Sequence, residues 1–169
     1  GTNRIFSFGQ ASFSPDGTKY TIFGGVSAGG LTQYADIYDF DRCSGLFNNH
    51  EHFEVKSTSS SGAGSAISAN SRWLYIALFD KLLKYDLKAS NIESTEELIG
   101  EYEPFSYPFS TKFFWMFAAP DDKIYIVTTS GSRTLHVIEK PDEPGLDCAF
   151  EQHGIRLACY NNSSLPTFA

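Results

Sequence analysis

The distribution of apolar and polar residues along this chain predicts β-strands joined by tight turns. Residues 13–23, 67–76 and 117–127 share one pattern, in which a polar turn is followed by an aromatic and β-branched run. Such runs suit the pleated, half-buried surface of a strand. Each of the three segments is therefore predicted to form a strand, a turn and a second strand.

The turn sets the register of the repeat. Pro15 has the φ angle that the first central position of a type I turn requires, and Asp16 and Gly17 suit the positions after it. Residues 69–71 and 120–122 occupy the corresponding positions, so the turns lie 54 and then 51 residues apart. A period of about 50 residues with several short strands is typical of β-propeller blades of the kelch and WD type.

A third strand is predicted in each unit and a fourth in two of them. Residues 35–41, 81–87 and 133–139 resemble one another, and residues 51–56 and 97–102 follow the first two of these. Four antiparallel strands per repeat are what a propeller blade contains. A β-sandwich with accidental similarity is the alternative, but a sandwich has no reason to repeat a whole four-stranded unit.

These patterns predict an all-β chain of about three four-stranded antiparallel blades in a single β-propeller segment. The blades are expected over residues 11–58, 64–104 and 113–157, with 1–10 as a strand of a neighbouring blade and 158–169 as an irregular tail. A closed propeller needs about four to eight blades. We therefore expect the remaining blades to lie in a longer parent chain, or copies of the segment to associate.

The composition excludes two classes of partner. The 169 residues include 20 acidic and 13 basic side chains, for a net charge of −7, and no Lys/Arg run, so nucleic acid is not an expected partner. The longest apolar run, residues 113–119, is far shorter than the roughly 20 residues of a membrane helix. We expect no membrane insertion, and a buried strand over these residues.

Two Gly-rich stretches approach functional motifs without completing them. Residues 24–30 lack the Lys-Ser/Thr and the following helix of a phosphate loop, which favours a loop between strands. Residues 62–65 approach the nucleophile elbow of hydrolases, but no helix pattern follows. No catalytic residue and no cofactor is therefore predicted.

The three cysteines, Cys43, Cys148 and Cys159, match no zinc signature. Cys148 and Cys159 are near in sequence and could close a small disulfide loop, while three unpaired buried thiols are the alternative. In a secreted chain, an odd number of cysteines would leave one thiol without a disulfide partner.

Carboxylates and histidines are the candidate metal ligands. Asp36, Asp39 and Asp41 offer the oxygens that calcium prefers, but Asp36 and Asp39 point to opposite faces of a strand. Roles at strand ends and turns are therefore favoured for these carboxylates. His50 and His52 share a strand face and could form a metal pair, although the sequence places no third ligand.

The remaining candidates have structural interpretations. His136 is expected on a strand surface, and a structural hydrogen bond explains His153 as well as a ligand role does. Asp121 and Asp122 are assigned to turn chemistry. No metal site is predicted.

Several stretches taken together resemble a known family. They are residues 12–17, 38–45, 123–126, 135–138, 150–157, 160–163 and 165–166. As an ordered set they resemble the propeller-type repeat region of large secreted or surface proteins of the Bacteroidetes phylum. Many of those proteins carry a C-terminal sorting domain read by the type IX secretion system, or gliding-motility-associated C-terminal modules. The resemblance implies a propeller fold and an extracellular or outer-surface location, and it supplies no catalytic residues.

The favoured function is a non-catalytic propeller module that binds a protein or glycan ligand, with a structural spacer as a further possibility. A rigid repeat scaffold, polar loops and the aromatic residues Tyr34, Tyr102 and Tyr107 support it. The alternative is a propeller hydrolase or lyase acting on a polysaccharide or a lactone, with a divalent metal in the central channel. Carboxylates from different blades in that channel would favour the enzyme. Ser, Gly and apolar residues there would favour the binding module.

Overall fold

The computed structural model describes residues 6–26, 32–56, 64–162 and 164–165, which form three four-stranded sheets and two short 3₁₀ turns. The first sheet contains β1 (Phe6–Phe13), β2 (Lys19–Val26), β3 (Thr32–Asp41) and β4 (Leu46–Lys56). The second contains β5 (Ser65–Ile67), β6 (Trp73–Ala77), β7 (Lys81–Asp86) and β8 (Glu97–Glu101). The third contains β9 (Phe113–Ala118), β10 (Ile124–Thr128), β11 (Ser132–Ile138) and β12 (Phe150–Asn161). The 3₁₀ turns are Glu93–Thr95 and Gly145–Cys148, and no helix among the described residues could span a bilayer.

Within each sheet the strands are neighbours in chain order, so each sheet is an antiparallel meander. This confirms the predicted all-β fold of three four-stranded units. The strand that was predicted to be third in each unit corresponds to β3, β7 and β11 in the three sheets. The third sheet also has a fourth strand, β12, which the repeat pattern did not predict.

The ends of the described chain belong to the sheets. Residues 6–10 lie in β1 and pair with β2, with Gln10 opposite Phe23, rather than in a strand of a neighbouring unit. Residues 158–161, expected in an irregular tail, continue β12 as far as Asn161. Main-chain pairing of β1 with β2 and of Asn161 with Ser132 therefore places both segments within the sheets.

Alternate residues of the middle sheet pack against its two neighbours. Ile76 of β6 lies in a core with Phe23 and Ile37 of the first sheet. The adjacent Tyr75 points the other way, into a core with Ile126 of the third sheet. All five side chains are at most 1% exposed. Because successive residues of a strand point to opposite faces, the middle sheet is apolar on both sides.

The three repeated turns have the same backbone conformation. Their last residues, Gly17, Ser71 and Asp122, have φ angles of 68°, 59° and 62°. Each of these residues donates its N–H to the carbonyl three positions earlier, as in a type I turn. The Asp16 N–H donates to Ser71 Oγ at 3.1 Å, so the first turn is bonded to the second. The predicted tight turns are confirmed, and the first two are neighbours in space.

The first strands of the three sheets converge. β5 contacts both β1 and β9, and the side-chain amide of Gln10 links all three strands. Gln10 Nε2 donates to Met116 O at 2.5 Å, while Oε1 accepts from Met116 N at 3.0 Å and Ser65 N at 3.2 Å. Gly64 leaves room for this approach, since a Cβ there would lie 2.5 Å from Met116 N. These three inner strands contain no Asp, Glu, His, Lys or Arg.

Candidate functional site

A pocket of about 330 Å³ lies beside the outer strands of the third sheet. Its lining residues are Phe105, Tyr107, Thr134, His153 and Arg156. Thr134 belongs to β11, His153 and Arg156 belong to β12, and the two aromatic residues lie in the connection from β8 to β9. The pocket is therefore separate from the inner strands β1, β5 and β9. The hydrolase or lyase alternative places its metal at those inner strands.

Hydrogen bonds fold the β8–β9 connection into one wall of the pocket. The Tyr102 hydroxyl accepts from Phe105 N at 3.0 Å and from Thr111 N at 3.3 Å. The Arg133 N–H donates to Tyr107 O at 3.4 Å, which joins the connection to β11. These contacts hold the rings of Phe105 and Tyr107 with their centroids 6.4 Å apart.

A bulge in β12 brings His153 to this wall. Leu135 pairs with Ile155 but Val137 pairs with Glu151, so β12 has two more residues than β11 over this stretch. His153 lies within the bulge and has a φ angle of 59°. Bulges change the direction of a side chain relative to its sheet, and they are common beside functional sites.

The imidazole of His153 is held by its neighbours. Its Nε2 lies 2.8 Å from Thr111 Oγ1, its ring centroid lies 4.4 Å from that of Phe105, and burial lowers its pKa. Its backbone N–H donates to His136 Nδ1 at 3.2 Å, and His136 Nε2 donates to Thr111 O at 2.7 Å. His136, expected on a strand surface, is instead fully buried, because its strand packs against the second sheet. Burial lowers the pKa of His136 to about 4, so the neutral ring with both nitrogens bonded is the stable form.

Three polar groups line the pocket beside the aromatic rings. Arg156 Nη2 donates to the Tyr107 hydroxyl at 3.3 Å, and the guanidinium lies 5.9 Å from the centre of that ring. Thr134 is 5% exposed, and its Oγ1 is buried with no hydrogen-bond partner among the described residues. A buried hydroxyl in this state costs about 1–3 kcal/mol. The pocket therefore offers a cation and the Tyr107 hydroxyl next to aromatic faces, and none of the described residues that line it is a carboxylate.

The three carboxylates considered as calcium ligands do not converge. Asp39 forms an ion pair with Lys19 at 2.5 Å, and this contact lowers the pKa of Asp39. Asp41 accepts a hydrogen bond from Ser44 Oγ at 2.7 Å in the turn after β3, which is the predicted turn role. Asp36 makes different contacts, with two histidines.

Asp36 lies with His50 and His52 on the outer strands of the first sheet. Its Oδ1 is 2.6 Å from His50 Nε2 and 2.8 Å from His52 Nδ1. The two histidines share one face of β4, as predicted, and Asp36 is directly opposite His52 on β3. The sequence could not place this third group because it is 14 residues away from His50 along the chain. Asp121 has the predicted turn role and accepts from Lys123 N at 3.3 Å.

The disulfide considered between Cys148 and Cys159 does not form. Cys43, Cys148 and Cys159 are all unpaired, as in the alternative of three free thiols. Cys148 lies in the 3₁₀ turn before β12 and is fully buried against the second sheet, whereas Cys159 is exposed on β12. The alternative of three buried thiols holds for Cys148 alone, and burial raises the pKa of its thiol.

The sequence singles out two of the five pocket residues, Tyr107 as an aromatic outside the strands and His153 as a titratable group. Phe105, Thr134 and Arg156 have no signal of their own, since the bulge in β12 and the bonded β8–β9 connection bring them together. Residues 27–30 and 62–63 of the two Gly-rich stretches lie outside the described residues.

Comparisons with solved structures identify the fold class. Similar structures include a candidate 6-phosphogluconolactonase from Bacteroides uniformis, with a TM-score of 0.57 and 14% identity over 89% of this chain and 40% of that one. A protein from Lactobacillus plantarum has a TM-score of 0.54 and 15% identity over 89% and 42% of the two chains. A protein of unknown function from Bacteroides thetaiotaomicron has a TM-score of 0.50 and 15% identity over 82% and 32%.

This chain therefore spans less than half the length of these neighbours. Neither a protein-family model nor a curated protein sequence matches it. At identities of 14–15% the likeness shows the fold alone. The chain is an all-β protein of propeller-like, four-stranded blades.

Proposed function

We propose that this chain is a ligand-binding part of a β-propeller protein, and that its pocket holds a small ring compound with a carboxylate, such as a sugar acid. The observation that carries the proposal is the placement of the Arg156 guanidinium beside the rings of Phe105 and Tyr107. A volume of about 330 Å³ lies within the range of small-molecule pockets, which combine apolar walls with a few convergent polar groups.

The aromatic wall is the reason for proposing that the ligand contains a ring. Phe105 is 42% exposed, although a phenylalanine is usually buried. Its ring and that of Tyr107 are tilted by 41° to each other, so they form an angled surface. The C–H face of a sugar ring packs on such a surface and removes it from water.

Arg156 is the reason for proposing that the ligand carries a carboxylate. A guanidinium presents a planar fork of donors that matches the two oxygens of a carboxylate. The Tyr107 hydroxyl already holds one end of the Arg156 side chain, so less freedom is lost when a ligand binds.

A binding function is favoured over catalysis because the described residues of the inner strands and of the pocket lining include no carboxylate. The inner strands contain only Ser, Gly, Gln and apolar residues, which is the composition expected of a binding module. The pocket lining has no carboxylate, so it offers no acid–base pair of the kind that glycoside hydrolysis uses.

Hydrolysis of a lactone is the second candidate, and the similarity to the candidate 6-phosphogluconolactonase favours it. Such a reaction needs a base to activate water. In this pocket that role would fall to His153, whose Nε2 is already within hydrogen-bond distance of Thr111. The extracellular location and the association with type IX secretion stay predictions from the family resemblance.

The proposal is tested by calorimetric titration of the protein with glucuronate, gluconate, glucose and gluconolactone. We expect glucuronate or gluconate to bind more tightly than glucose. Arg156→Gln should weaken acid binding by about tenfold or more, in line with the loss of a charge-assisted hydrogen bond. Thr134→Val keeps the shape of the residue and should weaken binding less.

Arg42→Gln is the matched control, because Arg42 is an exposed arginine in the turn between β3 and β4. Equal binding of acid and neutral sugar, or undiminished acid binding by Arg156→Gln, would contradict the proposal. Turnover of gluconolactone that His153→Gln abolishes would establish the hydrolytic alternative instead.

A further inference from the structure

We propose that Asp36, His50 and His52 form a binding site for a divalent transition metal, with Zn²⁺ as the preferred ion. The three side chains each present one ligand atom, and these atoms lie within 4.8 Å of one another. Two imidazoles and one carboxylate are the protein ligands of many zinc sites that keep a fourth position open. The inference stands on the first sheet and is independent of the pocket in the third.

The backbone brings the three ligands to one face. Asp36 and His52 are directly opposite each other on β3 and β4, where cross-strand side chains are close enough to interact. His50 reaches the same carboxylate because β4 carries an extra residue next to it. Ile37 pairs with Glu51 and Asp39 with Asn48, so two residues of β4 lie opposite one of β3. Asn49, in this bulge, has a φ angle of 49°.

Aromatic rings hold the two imidazoles in place. The Tyr38 ring stacks on His50 with centroids 4.4 Å apart and planes 4° apart. The Tyr34 ring stacks on His52 at 5.0 Å and 23°. Fixed imidazole orientations reduce the entropy lost when a metal binds, which is what neighbouring groups do at known metal sites.

The ligand atoms are close to the spacing that zinc requires. Bonds of about 2.0–2.1 Å in a tetrahedron separate ligand atoms by about 3.3 Å. Asp36 Oδ1 is 2.6 and 2.8 Å from the two ring nitrogens, about half an ångström closer than in such a site, and all three ligand atoms lie within 4.8 Å of one another. The side chains of His50 and His52 are 48% and 30% exposed, which leaves a side of the site open to water.

The charge of Asp36 supplies a further argument. Asp36 is 8% exposed, yet within the described ranges no lysine or arginine pairs with it. The side chains that contact its carboxylate are imidazoles, which carry a positive charge only when protonated. A divalent ion would neutralise this carboxylate without protonating either ring, and the rings would bind it in their neutral form.

The test is calorimetric titration of metal-stripped protein with Zn²⁺, in a Cys43→Ser/Cys159→Ser background. These two exposed thiols are zinc ligands in their own right and would otherwise obscure the result. We expect one Zn²⁺ per chain. Asp36→Asn keeps the size of the side chain, and His50→Gln/His52→Gln removes both imidazoles, so each should weaken binding by at least about tenfold. The absorption of bound Co²⁺ reports the same ligand set independently.

Asp39→Asn is the matched control, since Asp39 lies on the same strand and its carboxylate contacts Lys19 and Asn49 rather than either histidine, and an asparagine can still accept from Asn49. It should leave zinc affinity within about twofold of the parent. Folding of each variant is checked by circular dichroism in the absence of metal. The proposal is overturned if zinc does not bind, if binding survives in both ligand variants, or if Asp39→Asn weakens it as much as Asp36→Asn does.

Discussion

At the scale of single residues, His136 shows how a buried imidazole can couple folding to pH. Both ring nitrogens are hydrogen-bonded, one to Thr111 O and one to the His153 N–H, and Phe113 packs edge-on at 4.9 Å. Protonation would place a second donor on Nδ1, facing an N–H that already donates. Burial and this geometry both keep the ring neutral in the folded state.

This predicts a loss of stability in mild acid. The pKa of His136 falls from 6.5 to about 4 on folding, so between these values the unfolded chain binds a proton that the folded chain does not. Stability should decrease by about 1.4 kcal/mol per pH unit in this window, and by roughly 3 kcal/mol in total. Urea unfolding over this range measures it.

His136→Gln is the comparison variant. It should be less stable at neutral pH but lose less stability on acidification, because the titrating group is gone. His153, whose pKa burial also lowers, contributes in the same direction and remains in both proteins. Parallel pH profiles for the two proteins would refute the assignment.

Cysteine reactivity gives a second prediction at this scale. Cys43 and Cys159 are exposed, and Cys148 is buried with a raised pKa. A maleimide should therefore label two thiols quickly and the third only on unfolding, since the exposed thiolate is the reactive form. Mass spectrometry counts the labels. Rapid labelling of all three would contradict the packing of Cys148 between the second and third sheets.

At the scale of the element, a glycine substitution is expected to stabilise the third copy of the repeated turn but not the second. Asp122 and Ser71 adopt the left-handed backbone that glycine tolerates best, and Gly17 is already in place in the first turn. Asp122→Gly should stabilise the protein by about 0.5–1 kcal/mol. Ser71→Gly should not, because it also loses the hydrogen bond from the Asp16 N–H. Urea midpoints of the two variants decide, and an equal gain in both would show that the inter-turn bond contributes nothing.

The elements were predictable where they rest on local chemistry. Pro15, Asp16 and Gly17 specify their turn without reference to the rest of the chain, and alternating residues such as Tyr75 and Ile76 indicate strands. The bulges of β4 and β12 were not predictable, because residues 48–52 and 151–154 are polar or glycine and have no apolar alternation that an extra residue could shift. Both candidate sites depend on these bulges, which is why neither was predicted from sequence.

At the scale of the whole molecule, the close approach of the inner strands limits what residue 64 can be. A Cβ at Gly64 would lie 2.5 Å from Met116 N and 2.6 Å from Trp115 Cα, both backbone atoms that cannot rotate away. Gly64→Ala should therefore destabilise the protein by about 1–3 kcal/mol, as overpacking does. Gly131→Ala is the control, because a Cβ there meets no atom of the described residues within 4 Å. Thermal unfolding of both variants measures the difference, and similar melting temperatures would show that the strands do not approach so closely.

The amide of Gln10 carries a consequence for how this protein ages. Its nitrogen donates to one main-chain group of Met116 while its oxygen accepts from another, so the two ends of the side chain are not interchangeable. Deamidation would replace the donor with an oxygen facing a carbonyl. A modification this small, at one position, would loosen the first sheet from the third.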